Sequence, residues 1–210
     1  MMLTTYKEEY LKDPCRVSSL PYWKSVGMRL PENLLVVHEE QMGELDLSGY
    51  TDEHYFRLKH GLRDVRPAVL PNGYVLCHAS VGDFAAHIRE CYASTDVCEA
   101  KLQCYTLRSV YAPELWIAVS DSETHKLVAT GIGEMDADIG EGILEWIQVS
   151  ENHRRRGLGE YLVLELLRRM TGRVNFVTVS GQVDNPTSPK SLYKKCGFTG
   201  CDVWHVLRKK

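Results

Sequence analysis

The 210-residue chain has no apolar run long enough to cross a bilayer, which excludes a membrane-spanning helix from the reading. Its seven cysteines (Cys15, Cys77, Cys91, Cys98, Cys104, Cys196 and Cys201) are odd in number and contain no Cys-x-x-Cys pair. That argues against both a disulfide framework and a zinc site, and most of the thiols are expected to be small buried apolar groups in a reducing compartment. The eight histidines fall nowhere at ligand spacing, so no metal is expected. The opening MMLTTYKEEYLKDP lacks the basic, apolar, small-residue order of a secretory signal, which leaves the cytoplasm as the expected compartment. A net charge of -3 offers no basic surplus, so neither nucleic acid nor membrane is an expected partner.

What charge there is lies unevenly. Between Leu127 and His153 stand six acids (Glu134, Asp136, Asp138, Glu141, Glu145 and Glu151) and no lysine or arginine. From Arg154 onward there are twelve basic residues against four acids. The pattern fits a two-sided site, with a cationic ligand at the acidic stretch and an anionic one at the basic stretch, or simply a solvated surface.

Periodicity places the elements. GYVLCHA (73–79) reads as a strand, and Ser80 or Asp83 can cap the helix DFAAHIRECYAS (83–94). A second helical pattern covers 96–108. Strand-like runs at 114–120, 126–135 and 142–150, separated by polar turns, predict an antiparallel meander. A mostly buried helix over 157–170 follows, then a nearly all-apolar strand at 174–180. Ser188 and Pro189 open a helix that Gly197 ends, and a last strand spans 201–209. In the first seventy residues TTYKEEYLKD reads as helix, NLLVVHEE and HYFRLKH as strands, and LPYWKS as a loop or turn. VRPAVLPNG (65–73), with two prolines and a glycine, marks the expected boundary between an accessory layer (1–71) and the main domain (72–210).

HRRRGLGEYLV (153–163) carries the chemistry. The first amides of a helix have no partner within it, and the helix dipole favours negative charge there. Gly157 and Gly159 would let a diphosphate approach those amides, and the arginines add charge. Two glycines are too few for the dinucleotide fingerprint, and no Gly-Lys-Ser/Thr follows as in a P-loop. An ordinary glycine turn on a basic surface is the competing reading.

WIQVSENHRRRGLGEYLV resembles motif A of the Gcn5-related N-acetyltransferase (GNAT) superfamily, Arg/Gln-x-x-Gly-x-Gly/Ala, with Arg154, Gly157 and Gly159 in its defining places. NPTSPKSLYKKCGF resembles the last helix of that family, through Asn185, Leu192, Tyr193, Gly197 and Phe198, although the interval from Asn185 to Tyr193 is one residue longer than usual. The resemblance covers about 73–210. It implies an α/β (α+β) fold with a mixed, mostly antiparallel sheet flanked by helices, and acetyl-CoA as cosubstrate. It further implies that the turn amides from Arg155 through Arg156, Gly157, Leu158 and Gly159 to Glu160 hold a pyrophosphate. The strand edge at Ile147 and Val149 would pair with the pantetheine arm, and an amide near Val149 would polarise the thioester.

Acetyl transfer to an amine needs a base, an oxyanion site and an acid. The resemblance makes Tyr193 the acid; a packing residue is the alternative. Glu145, expected to share a strand face with Ile147 and Val149, is a base, a binder of a cationic substrate or an exposed strand end. The expected acceptor is a small-molecule or peptide amine. The alternative function is a non-catalytic acetyl-CoA sensor or partner-binding module, and a homodimer is open to either.

Overall fold

A computed structural model of the protein describes residues 5–43, 45–92 and 95–210. Along the chain run α1 (Lys7–Lys12), α2 (Pro14–Val17), α3 (Tyr22–Ser25), β1 (Leu34–His38), β2 (Tyr50–His60), β3 (Tyr74–Cys77), α4 (Val81–Cys91) and α5 (Glu99–Gln103). There follow β4 (Tyr111–Asp121), β5 (Leu127–Asp136), β6 (Glu141–Val149), α6 (Leu158–Met170), β7 (Phe176–Gln182), α7 (Pro189–Lys195) and β8 (Val203–Lys209). The chain divides into two compact units, residues 62–175 and residues 1–61 together with 176–210. The expected mostly antiparallel sheet flanked by helices describes both.

In the first unit β3, β4, β5 and β6 form an antiparallel meander in chain order. The strand β5, TGIGEM in its centre, carries glycine at alternate positions for a packing reason. A Cβ at Gly133 would lie 2.8 Å from Met170 Cε, and one at Gly131 would lie 3.3 Å from Leu166 Cδ1. The missing side chains therefore let α6 lie close against the strand. Leu158, Leu162 and Leu166, spaced four apart, bury one stripe of α6 completely, each contributing roughly 2 kcal/mol of apolar transfer. On the other face Phe84, Ala85 and Ile88 of α4 join Ala118 and Ile132 in a second cluster. That helix is closed by a capping box, in which the Ser80 hydroxyl accepts from the Asp83 amide and the Asp83 carboxylate accepts from the Ser80 amide.

The second unit orders its strands β1-β8-β2-β7, again antiparallel throughout. Arg57 of β2, 1% exposed, fixes the N-terminal helices on this sheet. Its guanidinium donates to Tyr10 Oη (2.7 Å), Ser180 Oγ (3.1 Å), Thr178 Oγ1 (3.3 Å) and the Ser19 carbonyl (3.4 Å). Trp204 Nε1 of β8 donates to the Cys15 carbonyl at 2.8 Å.

Several expectations need correction. The division into 1–71 and 72–210 does not follow the packing, because residues 1–61 build one unit with the C-terminal 35 residues, 176–210. The helical pattern at 96–108 forms only the short α5 and a 3-10 turn at Cys104–Leu107. LPYWKS contains a helical turn, α3, in which the Ser25 hydroxyl donates to the Tyr22 carbonyl at 2.8 Å. The helix expected to 94 ends at Cys91, and its last two expected residues lie outside the described ones. Ser188 stands at the N-cap of α7 with a left-handed φ of 51° and caps nothing with its side chain.

Candidate active site

The basic turn begins where β6 ends. After a 3-10 turn at Glu151–His153, the chain passes through Arg155 at φ 61° and Gly157 at φ 89° before α6 starts. Left-handed backbone at a non-glycine residue costs about 1 kcal/mol, and such residues cluster where a site needs a particular amide direction. Gly157 is the N-cap, so the cap residue itself has no side chain to offer this end of α6. Thirteen residues of helix therefore direct their positive pole at a terminus whose cap residue is a glycine. The Leu158 side chain is buried, which leaves its amide as the group it can offer a ligand.

The three arginines play different parts. Arg154 Nε donates to the Val149 carbonyl at 3.1 Å and so ties the turn back to β6. Arg156 donates to the Tyr74 hydroxyl at 3.4 Å, and that hydroxyl lies 3.1 Å from His153 Nδ1. Arg155 is exposed, and among the described residues no ion pair or hydrogen bond holds it. Glu160, one turn into α6, is paired with Arg66 at 3.1 Å.

The strand before the turn differs from expectation at one residue. Ile132 faces Trp146 while Gly133 faces Leu144, so Glu145 is the extra residue of a β-bulge. The bulge breaks the alternation that would have put Glu145 on the face of Ile147 and Val149. Ile147 sits opposite Gly131, toward Leu162 and Leu166. Glu145 instead reaches Arg108 Nη1 at 3.6 Å, and the same guanidinium binds Glu134 and stacks on the Tyr105 ring. Its side chain is 13% exposed. Both carbonyls of the expected pairing edge are engaged: Ile147 accepts from Tyr92 Oη at 3.1 Å, and Val149 accepts from Arg154.

Sequence reading missed the polar network under this strand end. His87 of α4, buried, has Nδ1 at 2.8 Å from Thr130 Oγ1 and Nε2 at 3.0 Å from Ser150 Oγ. Gln148 Nε2 donates to the same Thr130 hydroxyl. Burial holds the His87 pKa below the usual histidine value, so the ring stays neutral and its two nitrogens act as one donor and one acceptor. His87 lies among the buried residues of α4, where an apolar side chain is the usual occupant. Its polar partners come from elements at least 43 residues away, which no local spacing reveals.

In the other unit Tyr193 of α7 is 6% exposed, with its ring 5.7 Å from Phe198 and 6.1 Å from Phe56. Gly197, at φ 97°, ends the helix as expected. Asn185 Oδ1 accepts from the amide (2.9 Å) and hydroxyl (2.7 Å) of Thr187, a closed local turn before α7.

Residues 112–200 match the model of the acetyltransferase (GNAT) domain. Among curated proteins no relative matches. The fold is similar to that of a GCN5-related N-acetyltransferase from Sphaerobacter thermophilus, at 20% identity and a TM-score of 0.67, over 84% of this chain and 58% of that one. It is also similar to a GCN5-related N-acetyltransferase from Kribbella flavida (17%, TM-score 0.57, 84% and 67%) and to a tandem GNAT protein of the clavulanic acid biosynthesis pathway (16%, 0.59, 83% and 62%). The chain thus spans less than two thirds of the first and the last of these. A left-handed, glycine-capped turn opening a buried helix, a matching domain model and a shared fold agree: the segment from residue 112 to residue 200 is a Gcn5-related N-acetyltransferase (GNAT) domain.

Proposed function

We propose that the protein transfers the acetyl group of acetyl-CoA directly to the amine of a small molecule or peptide. The observation that carries this reading is the start of α6, where the helix is capped by a glycine and entered through two left-handed residues, Arg155 and Gly157. Those amides suit a diphosphate, which has more acceptor oxygens than a single capping side chain. Arg155, exposed beside them, adds charge. Arg154 and Arg156 act through the turn, since each already holds a neighbouring group. Gly159 and Glu160 contribute through the main chain. Acetyl-CoA, when bound, supplies an acyl carbon already activated as a thioester.

Main-chain donors at Ile147 and Val149 suit the amide-rich arm of that carrier, because the carbonyls of both residues are already bonded. Asn185 shapes the entry to α7. The amine nitrogen attacks the thioester carbon, a C–N bond forms, and the C–S bond breaks as the tetrahedral oxyanion collapses. The departing sulfur takes a proton from Tyr193 Oη, and the nitrogen's surplus proton passes through water to Glu145. Arg108, 3.6 Å away, fixes the position of that carboxylate.

The test combines calorimetry with coenzyme A and thiol release from acetyl-CoA across a panel of amines. Tyr193→Phe keeps the ring that packs on Phe198 and Phe56. It should lower kcat by about 10²-fold or more while leaving CoA affinity unchanged. Gly157→Ala places a Cβ 3.3 Å from Pro71 Cγ on a left-handed backbone, and should weaken CoA binding. Full turnover in the phenylalanine variant removes Tyr193 from the chemistry. Binding without turnover on any amine leaves the non-catalytic sensor, and no heat with coenzyme A ends the proposal.

A further inference from the structure

Within the unit formed by residues 1–61 and 176–210, β2 and β8 bring together three side chains that the function above does not use. Asp52 and His54, two apart on β2, point to one face of the strand. His205 of β8 sits directly opposite His54 in the antiparallel register, with the two imidazoles 4.5 Å apart between ring centres. The Asp52 carboxylate lies between them. Its Oδ2 is 3.0 Å from His54 Nε2 and 2.9 Å from His205 Nδ1, and its Oδ1 is 3.2 Å from the latter. One ligand atom from each residue falls within 4.8 Å of the other two. Donor atoms bound to one tetrahedral zinc ion at about 2.0–2.1 Å are themselves about 3.3 Å apart, so little movement would seat an ion.

We infer that Asp52, His54 and His205 form a site for a divalent transition-metal ion, zinc by the chemistry of the donors, bridging β2 and β8. Two imidazoles and a carboxylate suit zinc, cobalt or nickel rather than magnesium or calcium, which take oxygen ligands. Among the described residues nothing hydrogen-bonds His205 Nε2, which is buried, and this leaves Nδ1 as the nitrogen an ion can reach. Asp52 and His54 are exposed enough for an ion to enter from solvent and for water to complete the coordination. The next residue on the same face of β2 beyond His54 is Phe56, whose ring packs on Tyr193. A bound ion would therefore stiffen the strand pair under the Tyr193 helix. The histidines escape sequence reading because Asp52 and His205 lie 153 residues apart.

The alternative is that both imidazoles simply donate hydrogen bonds to Asp52, and metal titration of the full chain separates the two. Zinc should bind one-to-one in competition with a chromophoric chelator, and cobalt should give visible d–d bands without the intense near-ultraviolet bands of thiolate ligation. Asp52→Asn and the more exposed His54→Gln should each weaken binding by about tenfold or more. Both should keep the far-ultraviolet circular dichroism and the CoA affinity of the parent. A control, His125→Gln, should bind as the parent does. Absence of binding, thiolate bands, or unchanged affinity in both variants overturns the site.

Discussion

Cys15 and Cys91 show how burial sets the reactivity of single residues. Burial pushes the Cys15 thiol up to about 12 and the Cys91 thiol up to about 11. Since the thiolate is the nucleophile, both are protonated and unreactive at pH 8. Cys104 and Cys201 are exposed. A brief pulse of iodoacetamide at pH 8 on folded protein, read by peptide mass spectrometry, should label Cys104 and Cys201 and spare Cys15 and Cys91. Rapid labelling of Cys15 would show that the packing of α2 against β8 opens readily. The same scale separates what a residue's type can tell from what it cannot. Gly157 was legible as a turn glycine from its neighbours alone. Glu145 was legible as an unusual acid on a strand, but its partner Arg108 was not, because that pairing depends on a bulge that no residue spacing encodes.

Elements were legible where a single face decides them. The apolar runs of β4, β5 and β6, set off by polar turns, and the stripe on α6, which must bury one side against the sheet, read directly. The segment 96–108 failed for the opposite reason. Its helical pattern holds one fully buried leucine, Leu102, and no side chain caps its start at Cys98, so only a short helix survives. On α6 itself, Glu165 is buried among apolar neighbours because Arg168 and Arg169 both bind it, at 2.7 and 2.8 Å. The hydrogen bond from Arg168 leads the causes that hold its carboxyl below the usual glutamate range. A depressed folded pKa gives stability that is present above the unfolded value of about 4.3 and lost as pH falls through the lower folded value. Glu165→Gln should therefore lower Tm at pH 7 by a few degrees, and thermal melts should show the gap closing below about pH 4. A gap that persists unchanged in acid would mean that the residue matters through packing alone.

For the molecule as a whole, the family was more legible than the division of the chain. The two quoted motifs carry the family, whereas the unit boundary at 175/176 falls between an ordinary turn and an apolar strand. Proline and glycine at 65–73 mark only the other end. The consequence is testable on a fragment. Residues 72–210 would contain β7 and β8 without β2, which pairs with both, and without β1, which pairs with β8. Exposed strand edges of that length promote aggregation. The fragment should fail to unfold cooperatively in calorimetry, whereas a melt like that of the full chain would show that the N-terminal strands are dispensable. The interleaving also sets a schedule for the nascent chain. β1 and β2 leave the ribosome early and find no hydrogen-bonding partner until the last 35 residues, 176–210, have been made, while the meander of β3 to β6 can close as it emerges. Until then, the edges of the first strands stay open.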